Sequence, residues 1–215
     1  MKKKICLFDF DGTLIDSMGG FAAIAGEIIA REHGVSLERA KEMYYSTSGL
    51  PFFQQLDALF PGDPRNPALA DEYEQRKLDG FFAQEFFHDV KETLERLRAA
   101  EIKVAVSSNN FQHNIDRFVS SRAVKFDYVL GFRDGFEKGR DHFEYLIKSE
   151  GVKYGDFVFV GDSIKDGEKA HAFGVDFIAR SGTFTRQDFC RAFPDSPVID
   201  NISELIPILI DKEEP

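Results

Sequence analysis

Two short stretches place aspartates where an apolar run stops. In LFDFDGTLIDS, Leu7 to Ser17, Asp9 and Asp11 stand two residues apart and Gly12 follows at once. In FVFVGDSIKD, the run Phe157–Val160 ends in a glycine, then Asp162 and, four residues on, Asp166. Side chains alternate along a strand, so Ile5, Leu7, Asp9 and Asp11 are expected on one face, with both carboxylates converging at its carboxyl end. In open parallel sheets that edge is where ligands bind. If the two strands are neighbours, four carboxylates meet there, and a pair about 4 Å apart repels by roughly 4 kcal/mol at an effective dielectric of about 20. Something positive has to sit among them. A hard divalent cation with oxygen ligands meets that need, and an incomplete carboxylate shell with room for water and phosphate suits Mg2+. Zinc is disfavoured, because no His or Cys lies beside these positions. The plainer alternative is that strand-end aspartates cap helices; it accounts for Asp166 alone more easily than for all four.

The elements that must position these residues follow from the apolar pattern. Ile5–Phe10, Ile102–Val106, Tyr128–Leu130, Phe157–Val160 and, more weakly, Val175–Ala179 read as strands. Helical periods lie between most of them, such as Val90–Ala100 with Val90, Leu94 and Leu97 on one face. Strand and helix in alternation predict an α/β fold, a doubly wound parallel sheet with helices on both faces. From Met18 to about Phe87 the alternation breaks into helical patterns alone, over Phe21–His33, Leu37–Tyr45, Phe52–Phe60 and Ala68–Phe87. The expected organisation is an α/β catalytic core of residues 1–16 and 88–215 with an inserted all-helical cap domain, 17–87. The loop FPGDPRNP interrupts the insert, and the closing DKEEP reads as a solvated tail.

A formal net charge of -10 argues against a nucleic-acid partner, since phosphate backbones are held mainly by clustered Lys and Arg. Asp9 cuts the first apolar run too short for a signal peptide, and no stretch reaches the length of a membrane span; a cytoplasmic protein is the expectation. Cys6 and Cys190 have no paired spacing and read as inert thiols. The five histidines show no metal spacing, so surface or helix-end positions are expected for them.

Order and spacing of four motifs resemble the haloacid dehalogenase-like superfamily over nearly the whole chain. DFDGTLIDS matches its first motif, VAVSSN resembles the second, Lys138 in FEKGRDHF the third, and GDSIKD the fourth. The resemblance implies a Rossmann-like core and a phosphatase of the phosphoglycolate phosphatase or beta-phosphoglucomutase-like branch, acting on a small phosphorylated metabolite. Asp9 would be the nucleophile that becomes an aspartyl-phosphate. Asp11 would protonate the leaving alcohol and later activate water, its backbone carbonyl joining Asp9 and Asp162 around Mg2+. Asp166 would support the metal's waters or orient Asp162 and Lys138. Lys138, the Ser108 hydroxyl and N–H groups near Gly12 and Asn109 would hold the phosphoryl oxygens. Both Ser107 and Ser108 could reach the edge; Ser108 shares parity with Val104 and Val106 and aligns best with the family's hydroxyl. Prolines often follow the family's lysine, whereas KGRD stands here, and Arg140 is a candidate second phosphate contact.

The helical insert is similar to the cap that closes over the site in many members and selects substrate. Its turn STSGLPFF, Ser46 to Phe53, resembles the specificity loop but lacks the arginine that often follows in phosphoglycolate phosphatases. Phe81, Phe82, Phe86 and Phe87 are expected on one helix, as packing rather than as a substrate wall, since phenylalanine occurs 23 times and tryptophan never. A phosphotransferase of the beta-phosphoglucomutase kind and a catalytically silent phosphate-binding protein are the competing functions. A metal-free dehalogenase is disfavoured by Asp11, where that branch usually has a tyrosine.

Overall fold

Apolar runs without alternation mark strands covered on both faces. The computed structural model describes residues 3–210 and gathers those runs into one sheet. Its strands are β1 (Ile5–Phe8), β2 (Lys103–Phe111), β3 (Tyr128–Phe132), β4 (Phe157–Gly161), β5 (Asp176–Arg180) and β6 (Val198–Ile199). They lie in the order β3-β2-β1-β4-β5-β6, and every pairing is parallel. The chain builds outward from β1 through β2 and β3, then returns to β4 and builds the other way. The order therefore reverses between β1 and β4, the switch point where such sheets open a crevice at their carboxyl ends. β6 is two residues long, too short to leave a run in the sequence.

The chain divides into two compact units, Met1–Ile15 with Phe86–Pro215, and Asp16–Glu85. The smaller is helical: α1 (Met18–His33), α2 (Leu37–Ser46), α3 (Phe52–Leu59) and α4 (Asn66–Phe81). Local chemistry sets its ends. Gly34 closes α1 in the left-handed conformation, and the Ser36 hydroxyl accepts the Arg39 N–H to open α2. Pro67 sits in the first turn of α4, where its missing N–H costs nothing. Phe52 and Tyr73 stack at 4.0 Å inside this unit. The buried Gln55 ties its turn together, accepting from Thr47 and donating to the Leu50 carbonyl, each at 2.9 Å. The helix expected to run to Phe87 stops at Phe81, and Phe86 and Phe87 lie in the larger unit. There Phe86 forms an antiparallel bridge with Ile15, and the Phe87 N–H donates to the Leu14 carbonyl at 2.9 Å.

The larger unit carries α5 (Val90–Ala99), α6 (Gln112–Ser120), α7 (Arg140–Glu150), α8 (Ile164–Ala172), α9 (Arg186–Ala192) and α10 (Leu205–Leu209). On one face of the sheet, Leu7, Phe159 and Phe177 pack with Phe143 of α7 and Phe189 of α9. Phe8, Val104, Val106 and Val160 are buried on the other, toward α5 and α6. Each such side chain contributes about 1.5–3 kcal/mol of burial, so the central strands are rigid mounts for the loops at their carboxyl ends. Cys6 is buried in β1 and Cys190 is exposed; both are free thiols. Among the described residues no helix is long and apolar enough to cross a membrane. The DKEEP segment lies outside the described residues.

Candidate active site

The end of β1 holds Asp9 by its backbone. The Asp9 N–H donates to the Val160 carbonyl at 2.8 Å, extending the ladder with β4 by one residue. Alternation does not continue to Asp11 as expected. The strand ends at Phe8, the chain turns through Gly12 at φ 72°, where a side chain would be strained, and Asp11 bridges to Ile15. Three of the four carboxylates come together: Asp9, Asp162 and Asp166 each offer an oxygen within 4.8 Å of the others, all buried. Asp11 stands apart from that cluster, its Oδ2 accepting from the Asn110 amide at 2.6 Å.

At the end of β4, Gly161 lets the chain pass Asp166 closely. A Cβ there would lie 2.7 Å from both Cβ and Oδ2 of Asp166. Ser163 caps α8, accepting from the Asp166 N–H at 3.1 Å while its hydroxyl donates to Asp166 Oδ2 at 2.8 Å. The cap is therefore Ser163 and not Asp166, which sits in the first turn of α8 with one oxygen on the Ser163 hydroxyl and the other toward the charge cluster. Lys138, in the loop after β3, supplies the positive group. Its ammonium is 2.6 Å from Asp9 Oδ1 and 2.7 Å from Asp166 Oδ1.

Burial raises the Asp9 carboxyl to about 6, with Asp166 and Asp11 adding to it against the pull of Lys138. Burial, then Asp9 and Asp166, push Asp162 well above its ordinary value. Burial alone would lower Lys138, but the two facing carboxylates hold it above its usual range. Three buried carboxylates surround the buried Lys138 ammonium, and Lys169 adds a second positive charge felt by Asp166 and Asp9, so the carboxylates of the cluster outnumber the cations facing them. The all-oxygen donor set and this excess fit a hard divalent cation.

The end of β2 separates the two serines. The Ser107 hydroxyl is hydrogen-bonded to His142 Nδ1 at 2.8 Å, and Ser108 Oγ accepts the Asn110 N–H at 3.0 Å. Asn109 is half-buried between Ser108 and Asn110 on the same strand. His142 stands at a helix end, in the first turn of α7, but is fully buried and not at the surface, and the Ser107 hydroxyl gives its ring a polar partner inside the core. Arg140, the candidate second phosphate contact, is exposed and pairs with Glu144 at 2.8 Å along α7.

Two further contacts come from the last residue of β5 and the loop after it, which carry no acidic pair to draw attention. The Thr183 hydroxyl donates to Asp162 Oδ2, and Arg180 Nη1 donates to the Gly12 carbonyl at 2.6 Å while its guanidinium covers the Phe87 ring. That ligand sites gather at the carboxyl ends of parallel strands is the signal that points to this loop. The whole arrangement offers a buried carboxylate, a fixed ammonium, hydroxyl and N–H donors, and a second carboxylate held apart. Such a set can stabilise and attack an anionic centre.

Residues 6–180 match the family of haloacid dehalogenase-like hydrolases. The chain is similar to a phosphoglycolate phosphatase of Synechococcus elongatus, 27% identical over 202 residues, covering 88% of this chain and 89% of that protein. One of Pectobacterium atrosepticum is 25% identical, covering 94% and 90%. Among solved structures, a protein of Bacteroides fragilis described as a haloacid dehalogenase-like hydrolase superposes with TM-score 0.79 at 25% identity, covering 95% of this chain and 100% of that one. A protein of Clostridium acetobutylicum described as a phosphatase gives 0.82 at 19% identity, covering 98% and 100%, and speaks for the fold alone.

Proposed function

The chain belongs to the haloacid dehalogenase-like hydrolases, and from that premise we propose that it is a Mg2+-dependent phosphomonoesterase acting through an aspartyl-phosphate. The observation that carries this reading is the cluster of three buried carboxylates around the Lys138 ammonium at the sheet's switch point.

Asp9 and Asp162, with the backbone carbonyl of Asp11, would hold Mg2+, and Asp166 would support it while orienting Lys138. The ion, when bound, neutralises the excess charge and lets a dianionic phosphate approach. Asp9 attacks the phosphorus, and the bond to the leaving oxygen breaks as that oxygen takes a proton from Asp11. Water then gives a proton to Asp11, attacks the phosphorus and releases the Asp9 carboxylate. Lys138, Ser108 and the N–H groups near Gly12 and Asn109 hold the equatorial oxygens through both steps. Ser108 suits that duty better than Ser107, whose hydroxyl is engaged with His142.

The helical unit is read as the cap that selects a small phosphorylated metabolite. The phosphoglycolate phosphatases similar to this chain put phosphoglycolate among the substrates to test. The test is phosphate release from a panel of phosphorylated metabolites, with and without Mg2+, beside Asp9→Asn. Mg2+-dependent release, lost by at least about 10³-fold in the variant, is expected. Turnover by Asp9→Asn above a few per cent of wild type would overturn the nucleophile.

A further inference from the structure

We propose that Asn110 is a positioning residue for proton transfer: its amide fixes Asp11 so that the transferable proton resides on Oδ1. This rests on Asp11 acting as the acid and base of the proposed reaction.

Asn110 is 3% exposed, and its Nδ2 is 2.6 Å from Asp11 Oδ2 across 99 positions of sequence. Its own backbone is pinned, since its N–H donates to Ser108 Oγ. The pairing of β2 with β3 shifts register between Ser107 and Phe111, and such an irregularity re-aims the side chains it carries. Asn110 therefore stands on the strand that carries Ser108 and reaches the loop that carries Asp11.

An amide NH2 can only donate, so the oxygen it faces must accept. Asp11 needs a proton in the first half-reaction and must be a bare carboxylate in the second. A carbonyl oxygen accepts better than a hydroxyl oxygen, so with Oδ2 accepting from Asn110 the proton sits on Oδ1; it passes from there to the leaving oxygen, and the proton later taken from water returns there. The same contact restrains rotation of the carboxyl group, which an acid in line with a departing oxygen requires.

The consequence depends on the leaving group. An alkoxide cannot depart without a proton, whereas the acetate of acetyl phosphate can. The experiment measures kcat/KM, which reports through departure of the leaving group, for the best alkyl phosphate of the panel and for acetyl phosphate in the same preparation. Asn110→Ala, and Asn110→Asp of nearly the same shape without the donor, are compared with wild type. The expected result is an about 10–100-fold loss on the alkyl ester, the scale of a hydrogen bond to a charged group, and less than about threefold on acetyl phosphate. The ratio of the two rates is independent of how much of the variant folds. An equal loss on both substrates, or no loss on either, overturns the proposal while leaving the phosphatase reading intact. Persistence of turnover in Asp9→Asn is the separate result that removes that reading.

Discussion

The Lys138 ammonium lies 2.6 Å from Asp9 Oδ1, although 129 positions separate the two residues in the chain. The fold brings them together through two loops at one sheet edge, and a second carboxylate, Asp166, shares the same ammonium. Lys138→Met leaves both carboxylates without that cation. We expect kcat to fall by about 10²–10³, the scale for losing one charge-stabilising donor. Breaking a buried pair costs about 3–5 kcal/mol, so the urea midpoint should fall as well. A variant with wild-type kcat would remove Lys138 from the chemistry.

Mg2+ should stabilise the protein in a pH-dependent way. The folded Asp9 carboxyl titrates at about 6 against an ordinary 3.8, so the metal-free fold binds the extra proton between those values and loses that contribution as pH rises through about 6. The cation needs the bare carboxylates. Thermal melts should therefore show a large Mg2+-induced rise at pH 7.5, about 2.7 kcal/mol at a hundredfold excess over Kd, and little at pH 5. An equal shift at both pH values would contradict the assignment of these aspartates to the metal.

His142 works in the opposite sense. Burial lowers its pKa to about 3 from 6.5, so the unfolded chain binds the extra proton between those values and stability falls as pH drops below about 6.5. The folding equilibrium loses up to about tenfold per pH unit in that window. His142→Gln should flatten the acid limb of a urea-midpoint profile; an unchanged limb would mean that the ring is not the group responsible.

Gly161→Ala tests the close passage between β4 and Asp166. Overpacking costs about 1–3 kcal/mol, and displacing Asp166 should reduce kcat together with the melting temperature. Gly155→Ala is the control, because a Cβ there meets nothing within 4 Å. Equal behaviour of the two variants would refute the constraint.

The parts legible in the sequence are those carried by short-range pattern. Uninterrupted runs such as Phe157–Val160 mark strands buried on both faces, and two aspartates after such a run mark a site. Alternation extended past Phe8 puts Asp11 on the face of Asp9, but Gly12 turns the chain there instead. His142 resembles a surface residue in sequence, since its buried partner Ser107 is 35 positions away. Thr183 and Arg180 have no spacing of their own to mark them; their roles come from β5 standing next to β4. The run to Phe87 reads as one helix because aromatic residues recur through it, but Phe86 is drawn into the bridge with Ile15.

That bridge has a meaning for modularity. Ile15 and Phe86 are antiparallel partners, and Phe87 is hydrogen-bonded to Leu14, so the chain departs from the larger unit and re-enters it through what is in effect the stem of a hairpin. A stem of this kind can be closed by a short turn as well as by residues 16–85. Excising the helical unit and joining the stem with a few glycines and serines should leave a chain able to fold around the same sheet. By the same token, a different insert could be grafted at this junction while the sheet and the aspartates at its edge are inherited unchanged.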